Sequence, residues 1–210
     1  MAHAKKKPIP QKTLALLAAF ILLAGGLCVW LMNRNGETAV PDMTPTHTAV
    51  IEIASYGTIT AELYGNMAPI TVENFVKLAN DGFYDGLSFH RIIEGFMMQG
   101  GCPLGTGTGS ADKNIKGEFV QNGVNNSISH TRGVLSMARS ALPNSASSQF
   151  FIMHQDGTYL DGSYAAFGRV TEGMDVVDAI CESAAGGDQN GVLPKANQPQ
   201  ILSIRCTPLQ

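Results

Sequence analysis

The stretch of the sequence that most suggests chemistry is FHRIIEGFMMQGG, residues 89–101. Its apolar and β-branched residues predict β structure, in which successive side chains point to opposite faces. His90 and Ile92 would then face one way, and Arg91 and Ile93 the other. A guanidinium keeps its charge and offers a rigid fork of N–H donors, so Arg91 could orient an acceptor group beside an apolar surface. Such an arginine is also a common surface residue that packs through its stem, and this segment alone leaves both interpretations open.

Neither a metal site nor a phosphate site is predicted. His90 and Glu94 have the spacing of metal ligands on a helix, but their segment is predicted to be a strand and no third ligand accompanies them. The GTGTG run at 105–109 resembles a phosphate cradle, yet it lacks the Gly-Lys-Ser/Thr ending and no helical pattern follows it. We therefore interpret the run as a loop, and we expect the protein to need no cofactor.

Nucleophilic chemistry is not favoured by the pattern either. Ser145, Ser147 and Ser148 have no evident His–Asp partner set, which a hydrolase would need. His130 is interpreted as a structural loop histidine, with a role as a base left open. The sequence contains four cysteines, at positions 28, 102, 181 and 206. They form no CxxC pair, so neither a zinc cluster nor a redox dithiol is expected, and a Cys181–Cys206 disulfide is left open.

Short strands and two helices are predicted to position these residues. Residues 49–64 alternate apolar and polar types around Tyr56-Gly57, which predicts a β-hairpin. Apolar residues at helical spacing predict one helix that opens near Pro69 and closes at Gly82, and a second over 174–182. Further strands are predicted within 87–101, 133–139, 148–154, 165–170 and 200–206. This pattern indicates a mostly-β fold that closes, or nearly closes, into a barrel, because closure leaves few exposed edges.

Three blocks of sequence, in this order, resemble the cyclophilin family of peptidyl-prolyl cis-trans isomerases, in particular its bacterial members. The blocks are FHRIIEGFMMQGG at 89–101, GVLSMARSALPNSASSQFFIMH at 133–154 and YLDGSYAAFG at 159–168. The two predicted helices are similar to the helices that cap the family's barrel, so the resemblance covers 49–210. It implies an eight-stranded antiparallel β-barrel capped by two α-helices. In this chain the composition of the N-terminal segment separately predicts one transmembrane helix before the barrel.

The resemblance also implies roles for individual residues. Arg91 matches the family's catalytic arginine, and Gln99 matches the polar catalytic-site residue beside it. The implied substrate-binding residues are His90, Phe96, Met97, Ala138, Arg139, Phe151, Tyr159, Leu160 and Tyr164. The family often has Asn in place of Arg139. Tyr159 and Tyr164 replace a Trp and a His of well-known eukaryotic relatives, so cyclosporin binding is expected to be weakened by the loss of the indole donor.

The chemistry of proline isomerisation suits these residue types. Rotation about an X–Pro bond meets a barrier of about 18–20 kcal/mol that amide resonance sets. No bond is made or broken, so an enzyme needs only to bind the twisted amide better than either planar form. The twisted nitrogen regains a lone pair, to which Arg91 could donate while an apolar pocket holds the ring. A ten-thousandfold acceleration requires only about 5.5 kcal/mol of such differential binding.

Composition limits the remaining function classes. The chain has 210 residues, of which 44% are hydrophobic and 15% charged, so it can form a packed core. The net charge is −3, but residues 1–34 hold five cations and no acid. The acidic balance of the remainder argues against nucleic-acid binding, which favours a basic face.

The N-terminal segment is predicted to cross a membrane. Residues 13–32 carry no charge, and 20 helical residues span the ~30 Å hydrocarbon core of a bilayer. Lys5, Lys6, Lys7 and Lys12 precede this segment, so the positive-inside rule keeps the N-terminus in the cytoplasm. The predicted organisation is a cytoplasmic basic segment (1–12), a transmembrane signal anchor (13–32), a flexible linker (33–48) and a folded domain (49–210). A cleaved signal peptide and lipidation of Cys28 remain alternatives, although no Ala-x-Ala site follows the apolar segment and the residue before Cys28 is a large leucine.

The resulting prediction is a single-pass cell-membrane protein whose catalytic domain lies outside the cytoplasm. It would isomerise proline-containing polypeptides, secreted or envelope proteins among them, and so accelerate their folding. Two alternatives stay open. The same groove could serve a catalytically silent proline-peptide docking module, or the barrel could be a structural envelope protein.

Overall fold

The computed structural model describes residues 42–209, which contain eight β-strands and two α-helices. In chain order they are β1 (His47–Ile53), β2 (Gly57–Leu63), α1 (Pro69–Asn80), β3 (Phe89–Ile93), β4 (Met97–Gly100), β5 (Val134–Met137), β6 (Phe150–Met153), β7 (Ala166–Glu172), α2 (Met174–Ser183) and β8 (Ile201–Pro208). The predicted signal anchor at 13–32 lies outside the described residues. Between residues 42 and 209, no helix has the length and apolar character that a bilayer crossing requires.

All eight strands belong to one antiparallel sheet in the order β3-β4-β6-β5-β7-β2-β1-β8. The sheet curls until its two edge strands meet through an isolated bridge between Ser88 and Gln200. Near this bridge the Phe89 N–H donates to the Pro199 carbonyl at 3.0 Å. The predicted mostly-β fold, its eight antiparallel strands and its two helices are therefore confirmed. The closure between β3 and β8 is a bridge rather than a full ladder.

The inner face of the curled sheet packs around an aromatic cluster. The ring of Phe75, on α1, lies 5.4 Å from Tyr84, 5.2 Å from Phe150 and 5.1 Å from Phe167, measured between ring centroids. The four side chains are fully buried. Helix α1 thus anchors the centre of the sheet through one residue of its apolar face. Helix α2 likewise buries the apolar positions that its spacing predicted.

The outer face of the sheet carries a second apolar cluster. It includes Met97 on β4, Phe151 and Met153 on β6, and Leu160 from the turn that precedes β7. Side chains on a strand alternate between faces, so β4 and β6 contribute to both clusters. An antiparallel sheet commonly leaves its outer face polar, and an apolar outer face therefore marks a surface with another task.

A buried carboxylate from a distant segment caps α1. The helix begins at Pro69, a favoured first residue because its missing N–H would have no partner there. Ala68, which precedes it, supplies no side-chain cap. Instead Glu118, 2% exposed, accepts the Ile70 N–H at 3.2 Å and both the N–H and the O–H of Thr71 at 2.8 Å. Its negative charge also lies beside the positive N-terminal end of the helix dipole, which stabilises the helix.

We expect Glu118→Gln to lower the free energy of unfolding by about 1–3 kcal/mol, because an amide NH₂ cannot accept the hydrogen bonds that a carboxylate oxygen accepts. Urea denaturation followed by circular dichroism measures the change. The matched control is Glu73→Gln, which alters an exposed carboxylate of the same helix and should stay within about 0.5 kcal/mol of the parent. Equal losses in the two variants would contradict the capping role.

Candidate active site

The pairing register places polar and apolar site residues side by side across four strands. Arg91 on β3 is the partner of Gln99 on β4, and Gln99 is the partner of Phe151 on β6. Phe151 is in turn the partner of Ser136 on β5. Directly paired residues have their Cβ atoms about 4.5–5.5 Å apart and share a face of the sheet. The predicted alternation is also found, because His90 and Ile92 are buried whereas Arg91 and Ile93 are partly exposed.

A cavity of about 240 Å³ opens on this outer face. It is lined by Arg91, Phe96, Met97, Gln99, Ala138, Arg139, Phe151, Leu160 and Tyr164. All nine residues were among those predicted for the site. The cavity has apolar walls and two guanidinium groups at its edge, those of Arg91 and Arg139. This arrangement suits a compact apolar ring that carries a polar group at one edge.

The Arg91 side chain is held at its base and keeps donors for the cavity. Its Nε donates to the Asn190 carbonyl at 2.7 Å. Its Nη1 lies 3.4 Å from Gln99 Oε1 and 3.7 Å from the sulfur of Met97. Within residues 42–209, Nη2 has no hydrogen-bond partner. A guanidinium fixed through Nε can thus direct its outer N–H groups without a large loss of side-chain entropy.

Gln149 fixes the orientation of Gln99. Gln99 Nε2 donates to Gln149 Oε1 at 2.9 Å, which turns the carbonyl oxygen of Gln99 toward Arg91. Gln149 is oriented by two further bonds, because its Nε2 donates to the carbonyls of Gly107 (2.9 Å) and Gly109 (2.7 Å). A continuous chain of amide contacts therefore links the loop at 105–109 to the guanidinium.

The GTGTG loop borders a second cavity, of about 300 Å³. This cavity shares Gln99, Ala138 and Arg139 with the first, and hydroxyl groups of the 140–148 turn line much of its remainder. Ser145, Ser147 and Ser148 donate to the carbonyls of Leu142, Ala111 and Gly101 respectively. These serines stabilise the loops around the cavity, in agreement with the interpretation of 105–109 as a loop.

A Ser–His–Asp array does occur, but with a serine that the sequence did not suggest. His130 Nε2 lies 2.9 Å from Ser136 Oγ, and its Nδ1 lies 2.8 Å from Asp161 Oδ1. Both His130 and Ser136 are fully buried, so neither can reach a substrate. Burial lowers the pKa of His130 despite the neighbouring carboxylate. Its ring stacks on Phe151 with 6.1 Å between centroids, so the array supports the cavity wall.

Arg139 is bound almost entirely to its own chain. Nε and Nη2 donate to the Ser163 carbonyl at 3.0 and 2.8 Å, and Nη1 donates to the Ser140 carbonyl at 2.9 Å. The guanidinium carbon lies 4.7 Å from the ring centre of Tyr164, within cation–π distance. Arg139 thus forms a partition between the two cavities and holds Tyr164 in place, beyond its predicted contact with substrate.

Two predicted substrate-binding residues do not line the cavity. His90 is fully buried, lies against Gly107 of the 105–109 loop and has no hydrogen-bond partner within residues 42–209 for either ring nitrogen. Burial, together with the charge of Arg91, lowers the pKa of His90 to about 4. The predicted contact of His90 with substrate stays a prediction, because the ring lies against Gly107 of the neighbouring loop and His90 is not among the residues that line the cavity. Tyr159 lies at the rim, 72% exposed, with its ring 5.9 Å from that of Phe96.

Neither Gln149 nor the Asn190 carbonyl was predicted to belong to the site. A polar residue at the start of the apolar run QFFIM was the available signal for Gln149. Asn190 acts through its backbone, for which a side-chain pattern gives no signal. The thiols of Cys181 and Cys206 are free, and burial foremost raises the pKa of each to about 12.

Comparison with known proteins identifies relatives of this fold and site. The family model described as "Cyclophilin type peptidyl-prolyl cis-trans isomerase/CLD" matches residues 48–205. Peptidyl-prolyl cis-trans isomerase B of Bacillus subtilis is 51% identical over 114 residues, which cover 54% of this chain and 76% of that protein. A peptidyl-prolyl cis-trans isomerase of Synechococcus elongatus is 46% identical over 133 residues, which cover 63% and 86%.

A solved structure gives the same result for the fold. The crystal structure of a cyclophilin-type peptidyl-prolyl cis-trans isomerase of Cryptosporidium parvum, determined in the presence of the dipeptide Ala-Pro, matches with a TM-score of 0.66 and 29% sequence identity. The match covers 76% of this chain and 98% of that one.

The amide chain through Gln149 predicts an unusual pH dependence for Gln149→Glu. At pH 8 the introduced carboxylate would face the carbonyl oxygens of Gly107 and Gly109, so we expect kcat/KM for X–Pro isomerisation to fall about tenfold. At pH 5 the protonated carboxyl can donate to one of these carbonyls and still accept from Gln99, so activity should recover. Exchange spectroscopy by NMR at both pH values measures the rates. The control Gln149→Met should show a loss that does not change with pH, and parallel profiles for the two variants would contradict the orienting role.

Proposed function

The chain belongs to the family of cyclophilin-type peptidyl-prolyl cis-trans isomerases, and we propose that Arg91 supplies the main stabilisation of its transition state. The protein is a peptidyl-prolyl cis-trans isomerase by this membership and by relatives that carry this activity in their names at about 50% identity. The single observation that carries the proposal for Arg91 is its geometry. The guanidinium is anchored through Nε at the edge of an apolar cavity and leaves N–H groups free to donate.

The proposed mechanism rests on differential binding. The apolar walls made by Phe96, Met97 and Phe151 hold the proline ring, while Arg91 faces the proline nitrogen. In the planar amide the nitrogen lone pair is delocalised, so it accepts a hydrogen bond poorly. As the bond twists the nitrogen becomes an acceptor, and the hydrogen bond from Arg91 strengthens where the barrier is highest. Gln99 is proposed to assist by fixing Arg91 and binding the peptide beside the ring.

We propose that the substrates are proline-containing polypeptides. The related Cryptosporidium parvum isomerase was crystallised in the presence of Ala-Pro, which is the smallest X–Pro unit. The second cavity, next to Arg139, is available for a side chain on the same polypeptide. Binding of cyclosporin is proposed to be weak, because the phenol of Tyr159 stands at the rim where an indole donor would be needed.

The location proposed for the enzyme is the outer side of a cell membrane. The uncharged segment 13–32 and the lysines that precede it support an anchor with its N-terminus in the cytoplasm. A tether that precedes β1, which begins at His47, would keep the folded domain close to chains that emerge through the membrane. Uncatalysed isomerisation takes tens of seconds, long enough to limit the folding of such chains.

The key test compares Arg91→Ala and Arg91→Lys with the parent in an X–Pro isomerisation assay. Loss of a charge-assisted hydrogen bond in an apolar site should lower kcat/KM about a hundredfold in Arg91→Ala. Arg91→Lys keeps the charge but loses the planar fork of donors, so we expect an intermediate loss of about tenfold.

Arg169→Ala is the matched control, because Arg169 is an exposed arginine of β7 that does not line the cavity. It should leave the rate unchanged. Equal rates in the parent and Arg91→Ala would remove Arg91 as the source of catalysis. A folded parent that binds X–Pro peptides in the groove without turning them over would instead support the silent docking module.

The proposed topology has a separate test. Alkaline phosphatase, which folds only in an oxidising compartment, is fused after residue 210, and we expect it to be active in cells and to fractionate with membranes. Deletion of 1–32 should abolish that activity, because the fusion then stays in the cytoplasm. The mass of the mature chain distinguishes an anchor from a cleaved signal peptide. An inactive fusion with full-length chain in the cytosolic fraction would refute the proposed location.

A further inference from the structure

We propose that His154 is a positioning residue of the isomerase, which sets the wall of the proline cavity through the turn between β3 and β4. This inference rests on the proposed function of the groove, because it concerns how the groove keeps its shape. His154 lies just beyond the end of β6 and is 6% exposed. It does not line either cavity of the site, so any effect on catalysis must pass through another residue.

His154 holds the turn at two successive residues. The Gly95 N–H donates to His154 Nδ1 at 2.9 Å, and the backbone N–H of His154 donates to the Phe96 carbonyl at 2.9 Å. Gly95 has a φ of +76°, a left-handed conformation that glycine adopts without strain. The Phe96 N–H closes the turn on the Ile93 carbonyl at 3.0 Å. Within residues 42–209, the His154 side chain therefore contributes one hydrogen bond to this turn, the one from the Gly95 N–H. The other bonds of the turn join backbone groups.

The imidazole is itself fixed by a charged pair. Because Nδ1 accepts from Gly95, the hydrogen-bond network assigns the proton to Nε2, which lies 3.2 Å from Asp178 Oδ1 on α2. Arg132 binds the same carboxylate with two contacts of 2.7 Å and donates to the His154 carbonyl at 2.8 Å. The hydrogen bond from Arg132 foremost holds the pKa of Asp178 below its usual value. Both the ring and the backbone of His154 are thus tied to the same ion pair.

His154, Arg132 and Asp178 line a third cavity, of about 430 Å³. It shares no lining residue with the two cavities of the site. It is lined by Glu94, Gly95, Arg132, His154, Gln155, Asp178 and Glu182. The turn is the shared element between this cavity and the groove. On one side Gly95 meets His154, and on the other Phe96 forms the wall of the proline cavity.

The chemistry of the contact predicts which property should change. Without the hydrogen bond from the Gly95 N–H to His154, the turn keeps its backbone bonds but loses its side-chain anchor. Phe96 is then held less firmly against the proline ring of the substrate. Phe96 contacts the apolar ring equally in the planar and the twisted amide. The loss should therefore appear mainly as a higher KM, whereas Arg91 governs kcat. A residue needed only for folding would lower the stability and leave both constants of the folded protein unchanged.

The test uses three substitutions of His154 in the full chain. Asn carries a carbonyl oxygen near the place of Nδ1, so His154→Asn can still accept from Gly95. Gln carries an amide nitrogen near the place of Nε2, so His154→Gln can still donate to Asp178. His154→Ala keeps neither contact. We expect KM to rise about tenfold in His154→Ala and His154→Gln, and to stay within about threefold of the parent in His154→Asn, with kcat little changed in all three.

Gln155→Ala is the matched control, because this neighbouring exposed side chain lines the same cavity and should leave KM unchanged. Amide hydrogen exchange at Gly95 gives an independent readout, which should quicken in His154→Ala and His154→Gln but not in His154→Asn. Equal KM values in the parent and His154→Ala would overturn the proposal, as would a failure of Asn to rescue in a folded variant. A parent without isomerase activity would instead refute the proposed function, and Gly95 exchange then tests the contact by itself.

Discussion

Arg91, Gln99 and Phe151 stand beside one another because β3, β4 and β6 pair in one particular register. A shift of one residue would turn Arg91 toward the inner core and expose His90 in its place. Burying an unpaired guanidinium among aromatic rings would cost far more than a buried neutral imidazole. The inner core enforces the same register, because Phe150 packs on Phe75 of α1 and Phe89 packs on Phe150, a bulge between Phe89 and Arg91 placing these two side chains in different surroundings. The packing that stabilises the domain thus also decides which side chains face the groove.

Around the groove, polar groups are held by partners that do not themselves contact the proline cavity. The Asn190 carbonyl binds Arg91 at Nε, Gln149 orients Gln99, and His130 stacks behind Phe151. Each partner belongs to a different segment, so the groove depends on the complete fold rather than on one hairpin. Fixed dipoles of this kind need no reorganisation when the amide twists, which is the condition for electrostatic stabilisation of a transition state.

The sequence predicted the elements well wherever a local period determined them. The alternation in β1 and β2, and the helical spacing of Val72, Phe75 and Ala79, are local properties of the chain. The nine cavity residues were predicted only because their blocks resemble a family whose groove they form. For His90, the resemblance implied a contact with substrate, whereas the structure buries its side chain away from the residues that line the cavity. The Glu118 cap and the Asn190 contact could not be predicted, because each joins residues more than 40 positions apart through backbone groups.

Because the outer face is apolar, the side chains of the groove wall need contacts that fix their positions. Met97, Phe151 and Leu160 are almost fully buried on a face that meets solvent at the cavity, so they pack against each other as well as against substrate. If they could collapse into the 240 Å³ cavity, the groove would close and each binding event would have to reopen it. Arg139 against Tyr164, His130 against Phe151 and His154 against the Phe96 turn each oppose this collapse from a different side. The free energy needed to shape the groove is therefore supplied during folding. The free energy of substrate binding can then be used to favour the twisted X–Pro amide.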